Sequence, residues 1–344
     1  MPKFNAALIA CLMMTFSVDP LLAAHDVRQW QIFKSRFVSP EGRVVDKQNG
    51  DISHSEGQGF GLLFAALFQD REAFQRIWQW TQKNLQIRKD ALLAWKWVPR
   101  AAEHVPDRNN AADGDIFTAW ALALAGETFH NPAWNADASR IARDIRRELV
   151  SRNGARTILL PGSDGFTSDK GTLINFSYWV FQAFRALNSL DPSSDWADLE
   201  KSGLALIDEA QFGRWKLPPD WVTITPQGKL LLPTDRPQRF SYDAVRIPLH
   251  LVWAGLGTPS RLRRFLAFWN EFDKVPFVGA WTNLSDDSIA AYGPPKGFRA
   301  IRGLVTTSVA KVPYTALEFA SQDDYYSSAL VMLANLAADG LPKR

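Results

Sequence analysis

Apolar residues recur at helical spacing along almost the whole chain. The pattern predicts helices over 27–37 and over 61–85, the latter in two pieces broken near Asp70. It predicts others over 116–129, 136–150, 172–190, 196–212, 243–257, 260–272 and 325–340. Proline and Asx residues punctuate them at Asn131-Pro132, at Thr258–Ser260 and at Asp191–Ser194, which reads as a turn into a capped helix. Strand-like alternation is confined to 155–163 and 222–233, the second shaped as a hairpin around Gln227-Gly228. Ile116–Leu124 is apolar nearly all round, as a helix enclosed by other helices would be. No change of composition marks a linker. The expectation is one all-α domain of roughly a dozen paired helices. Periodicity alone fits a closed ring of hairpins and a globin-like pile equally.

The first 24 residues stand apart. Lys3 precedes an apolar stretch from Ala6 to Val18, and small residues follow at Ala23 and Ala24, the anatomy of a secretory signal. The apolar stretch is too short to span a bilayer comfortably, so no stable membrane insertion is expected. "LIAC" at 8–11 also resembles a lipoprotein cleavage box, with a very short apolar region before it. The expected organisation is a leader over 1–24 and a single domain over 25–344, exported to the periplasm or beyond. Cys11 is the only cysteine and falls in the leader, so the mature chain would carry no disulfide or thiolate chemistry. With 344 residues, 46% of them hydrophobic, it has ample material for a core. A formal charge of +3 with no long basic run argues against nucleic acid as a partner.

Three acidic motifs are candidates for chemistry. "HSEGQGFG" at 54–61 sets Glu56 among three glycines at a helix start, where each glycine costs about 1 kcal/mol relative to alanine. Either Glu56 is a first-turn residue favoured by the helix dipole, or the glycines clear a surface over an acid. A general acid there needs burial or a second carboxylate to outweigh the dipole. "NNAADGD" holds Asp113 and Asp115, which read as a helix cap or as a fragment of a calcium loop whose other ligands are missing. "RFSYDAVRIPL" places Asp243 before an apolar helix and Arg246 one turn on, an i,i+3 pair or an arginine holding a carboxylate ionised. Most of the 14 tryptophans are expected in packing, but those of "AWKWV" (94–98) and "LPPDWV" (217–222) sit in loop-like context and suit a sugar ring. No zinc, P-loop, dinucleotide or serine-elbow motif is present, and no metal or cofactor is expected.

Six stretches in order, "GRVVDKQNGDISHSEGQGFGLLFAA", "VPDRNNAADGD", "NFSYWVFQAFRAL", "GRWKLPPDWV", "RFSYDAVRIPL" and "DYYSSAL", resemble glycoside hydrolase family 8. The likeness runs from about Trp30 to Leu336 and is greatest to the endoglucanases that accompany bacterial cellulose synthesis. It implies an (α/α)6 barrel and cleavage of β-1,4 bonds of cellulose or cellooligosaccharide with inversion. By motif it implies Glu56 as general acid, Asp243 as base, and Asp113 as the carboxylate holding the sugar at the cleavage point. It places Trp95, Tyr178, Tyr242, Arg246 and Tyr326 along the cleft. Ala112 stands where the family more often has Ser or Thr. On this reading Glu56 is protonated at rest, Asp243 is ionised, and the glycines make room for glucan over the acid. The same machinery on xylan or chitosan, and a non-catalytic glycan-binding factor of a cellulose export machine, are the rival readings. A functional association with cellulose synthase machinery belongs to the same expectation.

Overall fold

The helical periodicity is realised as eleven α-helices among the described residues, 20–271 and 279–341 of the computed structural model. They are α1 (Pro20–Phe37), α2 (Ser55–Leu67), α3 (Arg71–Asn84), α4 (Ala112–Thr128), α5 (Pro132–Leu149), α6 (Phe181–Leu190), α7 (Ser194–Glu209), α8 (Arg246–Trp253), α9 (Pro259–Glu271), α10 (Lys296–Ala310) and α11 (Tyr325–Asp339). Most of the expected leader, with Cys11, lies outside the described residues.

Side-chain caps set several boundaries. Asp70 ends α2 and caps α3 by accepting the Ala73 N–H. The same carboxylate accepts Trp30 Nε1 at 3.0 Å and Lys34 Nζ at 2.6 Å, tying α1 to this junction. Ser193 caps α7 and Asp324 caps α11. Asn131 caps α5, with Pro132 at the first helical position, where a missing N–H costs nothing.

Two kinds of helix result. α2, α4, α8 and α11 are buried on almost every side, whereas α3, α5 and α9 bury one apolar stripe each. The inner helices form a ring in which α2 packs on α4, α4 on α6, α6 on α8, α8 on α10 and α10 on α11. The ring closes where Tyr325 of α11 meets His54 and Phe37, and where α1 lies against both α11 and α2. The outer helices α1, α3, α5, α7 and α9 alternate with the inner ones. The sixth outer position is occupied by the extended stretch 311–324, held by Arg36 on the Ala320 carbonyl and by Phe319 against Phe33. This is an (α/α)6 barrel, and it settles the choice between ring and pile.

Three local expectations change. The run 172–190 is not one helix: Gly171–Ile174 is a strand, Phe176–Tyr178 a 3-10 turn, and only Phe181–Leu190 is α-helical. Asn175 breaks the run by bonding the Ser177 N–H with its own side chain, and the strand joins an antiparallel sheet with Val222–Ile224. The helix expected from 243 begins at Arg246, leaving Asp243 in the preceding turn. α10 has no clear signature in the sequence, because two glycines and several β-branched residues weaken its propensity; packing against α8, α9 and α11 holds it. The hairpin over 222–233 forms as expected, with Gly228 at φ +82° in its turn.

Candidate active site

One end of the barrel gathers the first turns of four inner helices, and with them the acidic motifs. Glu56 lies in the first turn of α2, Asp113 in that of α4, Arg246 opens α8, and Tyr325 and Tyr326 open α11. Arg246, 3% exposed, holds the group together. Its Nη1 donates to Glu56 Oε1. Its Nη2 faces Asp113 Oδ2 at 3.3 Å, Asp243 Oδ1 at 3.1 Å and Ser177 Oγ at 2.9 Å. Only a rigid guanidinium fork can satisfy partners from four separate elements at once. Burial would lower the arginine's pKa, but Glu56, Tyr326, Asp243 and Asp113 around it hold it above its ordinary value.

The carboxyls differ in environment. Burial raises the pKa of Glu56, against the pull of Arg246 and with a further push from Asp243. The helix dipole therefore does not prevail. Burial raises Asp113 further, and the neighbouring Glu56 charge adds to it. Their mutual contact lowers Glu56 and raises Asp113, so the two titrate as a pair in which Asp113 holds its proton the more strongly. Asp243 is the most open of the three, with its side chain 30% exposed against 14% for Glu56 and 4% for Asp113.

The predicted binding residues surround this cluster. The strand Ser53–His54 pairs with Lys96–Trp97, and the Ser55 N–H donates to the Trp95 carbonyl, so Trp95 stands beside the acid's helix. Its indole N–H donates to Asp107 Oδ2 at 2.8 Å. Tyr178 meets Trp221 edge-on at 6.0 Å. Tyr326 Oη donates to the Tyr242 carbonyl at 2.6 Å, the two rings lie 6.2 Å apart, and Tyr242 is 40% exposed. The Arg246 guanidinium lies 6.0 Å from the Tyr326 ring.

The glycines serve a different end from the expected one. A Cβ on Gly59 would lie 2.7 Å from Phe117 Cβ, one on Gly61 2.7 Å from Val44 Cγ2, and one on Gly57 2.8 Å from Tyr325 Oη. Gly114 answers from α4, where a Cβ would lie 2.2 Å from Ser55 Oγ. They allow α2 to approach α4, α11 and the 42–46 loop, which brings Glu56 to Asp113; none clears space for a ligand. Asp115 is structural: it accepts the Leu93 N–H and Asn110 Nδ2, and burial pushes its carboxyl up to about 8. Three further residues belong to the neighbourhood: Ser177 on Arg246, Trp221 beside Tyr178, and Asp220 under the Asp243 turn. Trp221 is the loop tryptophan of "LPPDWV", while Ser177 and Asp220 have no distinct sequence signal of their own.

The model of Glycosyl hydrolases family 8 matches residues 1–340. Among curated proteins the chain is 38% identical, over 312 residues, to a probable endoglucanase of Novacetimonas hansenii, covering 90% of each. It is 34% identical to an endoglucanase of Cellulomonas uda, covering 80% of this chain and 76% of that one. Among solved structures it is similar to the endo-beta-1,4-glucanase CMCax from Acetobacter xylinum, with TM-score 0.84, 37% identity, and 92% of this chain and 98% of that one covered. A barrel whose inner helices deliver an arginine-bound carboxyl cluster to one end, matched over nearly its whole length in this way, belongs to glycoside hydrolase family 8.

Proposed function

We propose that the chain is an endo-β-1,4-glucanase that cleaves internal bonds of cellulose-type glucan with inversion. The observation that carries this is the convergence of Glu56, Asp113 and Asp243 on Arg246, with the Tyr326 ring beside the guanidinium. Glu56 is the acid: its raised pKa keeps a proton available for the glycosidic oxygen as the C–O bond breaks. Asp243 is the base: the more open of the pair, it takes a proton from a water that attacks the anomeric carbon from the opposite face. The leaving sugar departs with the proton of Glu56, and Asp243 carries the proton of the water. Inverting enzymes separate these carboxyls by about 6.5–9.5 Å, the gap that holds the sugar and the attacking water. Asp113, beside Glu56, binds the sugar at the cleavage point. Trp95, Trp221, Tyr178, Tyr242 and Tyr326 stack the chain.

Glu56→Gln and Asp243→Asn should each abolish release of reducing ends from carboxymethylcellulose while the protein stays folded. Ordinary activity in both folded variants would overturn the assignment. The same reading carries a leader removed near Ala24, a single mature domain over 25–344 and export, supported by Lys3 and the apolar 6–18 stretch. Amino-terminal sequencing of the protein from the envelope fraction tests it. Action beside a cellulose-secreting complex rests on the motif resemblance and is tested by co-purification with the synthase.

A further inference from the structure

The turn that presents Asp243 is short and has no cap of its own. α8 begins after Val245, and no side chain of that turn satisfies its N–H groups. A buried residue 23 positions upstream does so instead. Asp220, 9% exposed, accepts the Ser241 N–H at 2.9 Å and the Ala244 N–H at 2.8 Å, both on Oδ1. These two amides bracket Tyr242 and Asp243. Asp220 is itself fixed. Its N–H donates to the Arg239 carbonyl at 2.7 Å, Leu217 and Phe212 close a turn ahead of it, and Pro218 and Pro219 stiffen the link. Burial, and the Asp243 charge beside it, push its carboxyl up to about 8.

We infer that Asp220 is the positioning residue for the base: one carboxylate oxygen pins the 241–244 turn and so sets where Asp243 meets water. The inference rests on Asp243 being the base. Trp221 follows Asp220 directly and meets Tyr178 edge-on, so one loop couples the placement of the sugar to that of the base.

A carboxylate placed about 1 Å out of line can cost on the order of 100-fold in rate. The test compares Asp220→Ala, Asp220→Asn and Asp144→Ala in the full chain, with kcat and KM on cellotetraose and the unfolding midpoint of each. Asp144 is the control, a buried aspartate that accepts the Ala91 N–H on the outer wall. Asp220→Ala should lose about 100-fold in kcat with KM within about threefold. Asp220→Asn retains an oxygen acceptor for both amides and should recover to within about tenfold of the parent. Asp144→Ala should lose stability and keep kcat. If Asp220→Ala does not fold, Asp220→Ser carries the same comparison. A folded Asp220→Ala or Asp220→Ser with parental kcat overturns the inference, as does an Asp220→Asn as impaired as the alanine variant. Should Asp243→Asn prove active, the assignment of the base fails instead.

Discussion

Replacing Arg246 by methionine removes the guanidinium that balances the buried carboxyl pair. Glu56 and Asp113 both face the guanidinium, whose side chain is 4% exposed, and the negative charge of the pair is balanced there. Without Arg246 that charge is left in a site that does not solvate it. The least costly response is to take up a proton. For a carboxyl of ordinary pKa near 4.3, at about 1.4 kcal/mol per unit, this costs about 3.7 kcal/mol at pH 7 and about 1 kcal/mol at pH 5. The neutral figure agrees with the roughly 3–5 kcal/mol seen when one partner of a buried ion pair is removed. A carboxyl whose folded pKa lies above its unfolded value stabilises the fold most in acid and loses that contribution as pH rises through the folded pKa. Arg246→Met raises both carboxyls further, so its deficit should grow with pH. At about 2–4 °C per kcal/mol, the unfolding midpoint should fall by roughly 7–15 °C at pH 7 and by about 2–4 °C at pH 5. Calorimetry of parent and variant across that range measures it. An equal deficit at both pH values would refute the charge-balance account and leave only lost packing.

Two further outcomes follow from the same site. Gly59→Ala puts a Cβ 2.7 Å from Phe117 Cβ, so it should cost about 1–3 kcal/mol in denaturant unfolding; unchanged stability with a raised KM would restore the reading in which the glycine makes room for substrate. Because burial raises the Glu56 pKa, the alkaline limb of kcat/KM should lie above the ordinary carboxyl range, with activity lost as pH rises and the acid gives up its proton; a limb at or below pH 4.5 would contradict its role.

Much of the frame was legible because it is local. Asp70 marks the α2–α3 break as an N-cap does anywhere, Ser193 and Asn131 likewise, and the all-round apolar stretch at 116–124 is the interior helix it reads as. The misread stretches are those where local preference and tertiary context compete. The run 172–190 has helical apolar spacing, yet Asn175 and a sheet partner some 50 residues on take its first half. α10 has little intrinsic preference and exists because three neighbours pack on it.

The chemistry divides the same way. The sequence by itself determined the acidic motifs, the loop tryptophans and the family they resemble, since residue types and spacings are properties of the chain. It also set Glu56, Asp113 and Arg246 each at the start of an apolar helix. Only the closed barrel decided that these helix starts share one end, that Ser177 and Asp220 serve the same cluster, and that Gly57, Gly59, Gly61 and Gly114 are contact points between packed elements. The physical reason is distance along the chain. A glycine's missing Cβ and a carboxyl's displaced pKa take their meaning from atoms of other elements, from 17 residues away for Gly61 and Val44 to 268 for Gly57 and Tyr325, and sequence spacing carries no record of which atoms those are.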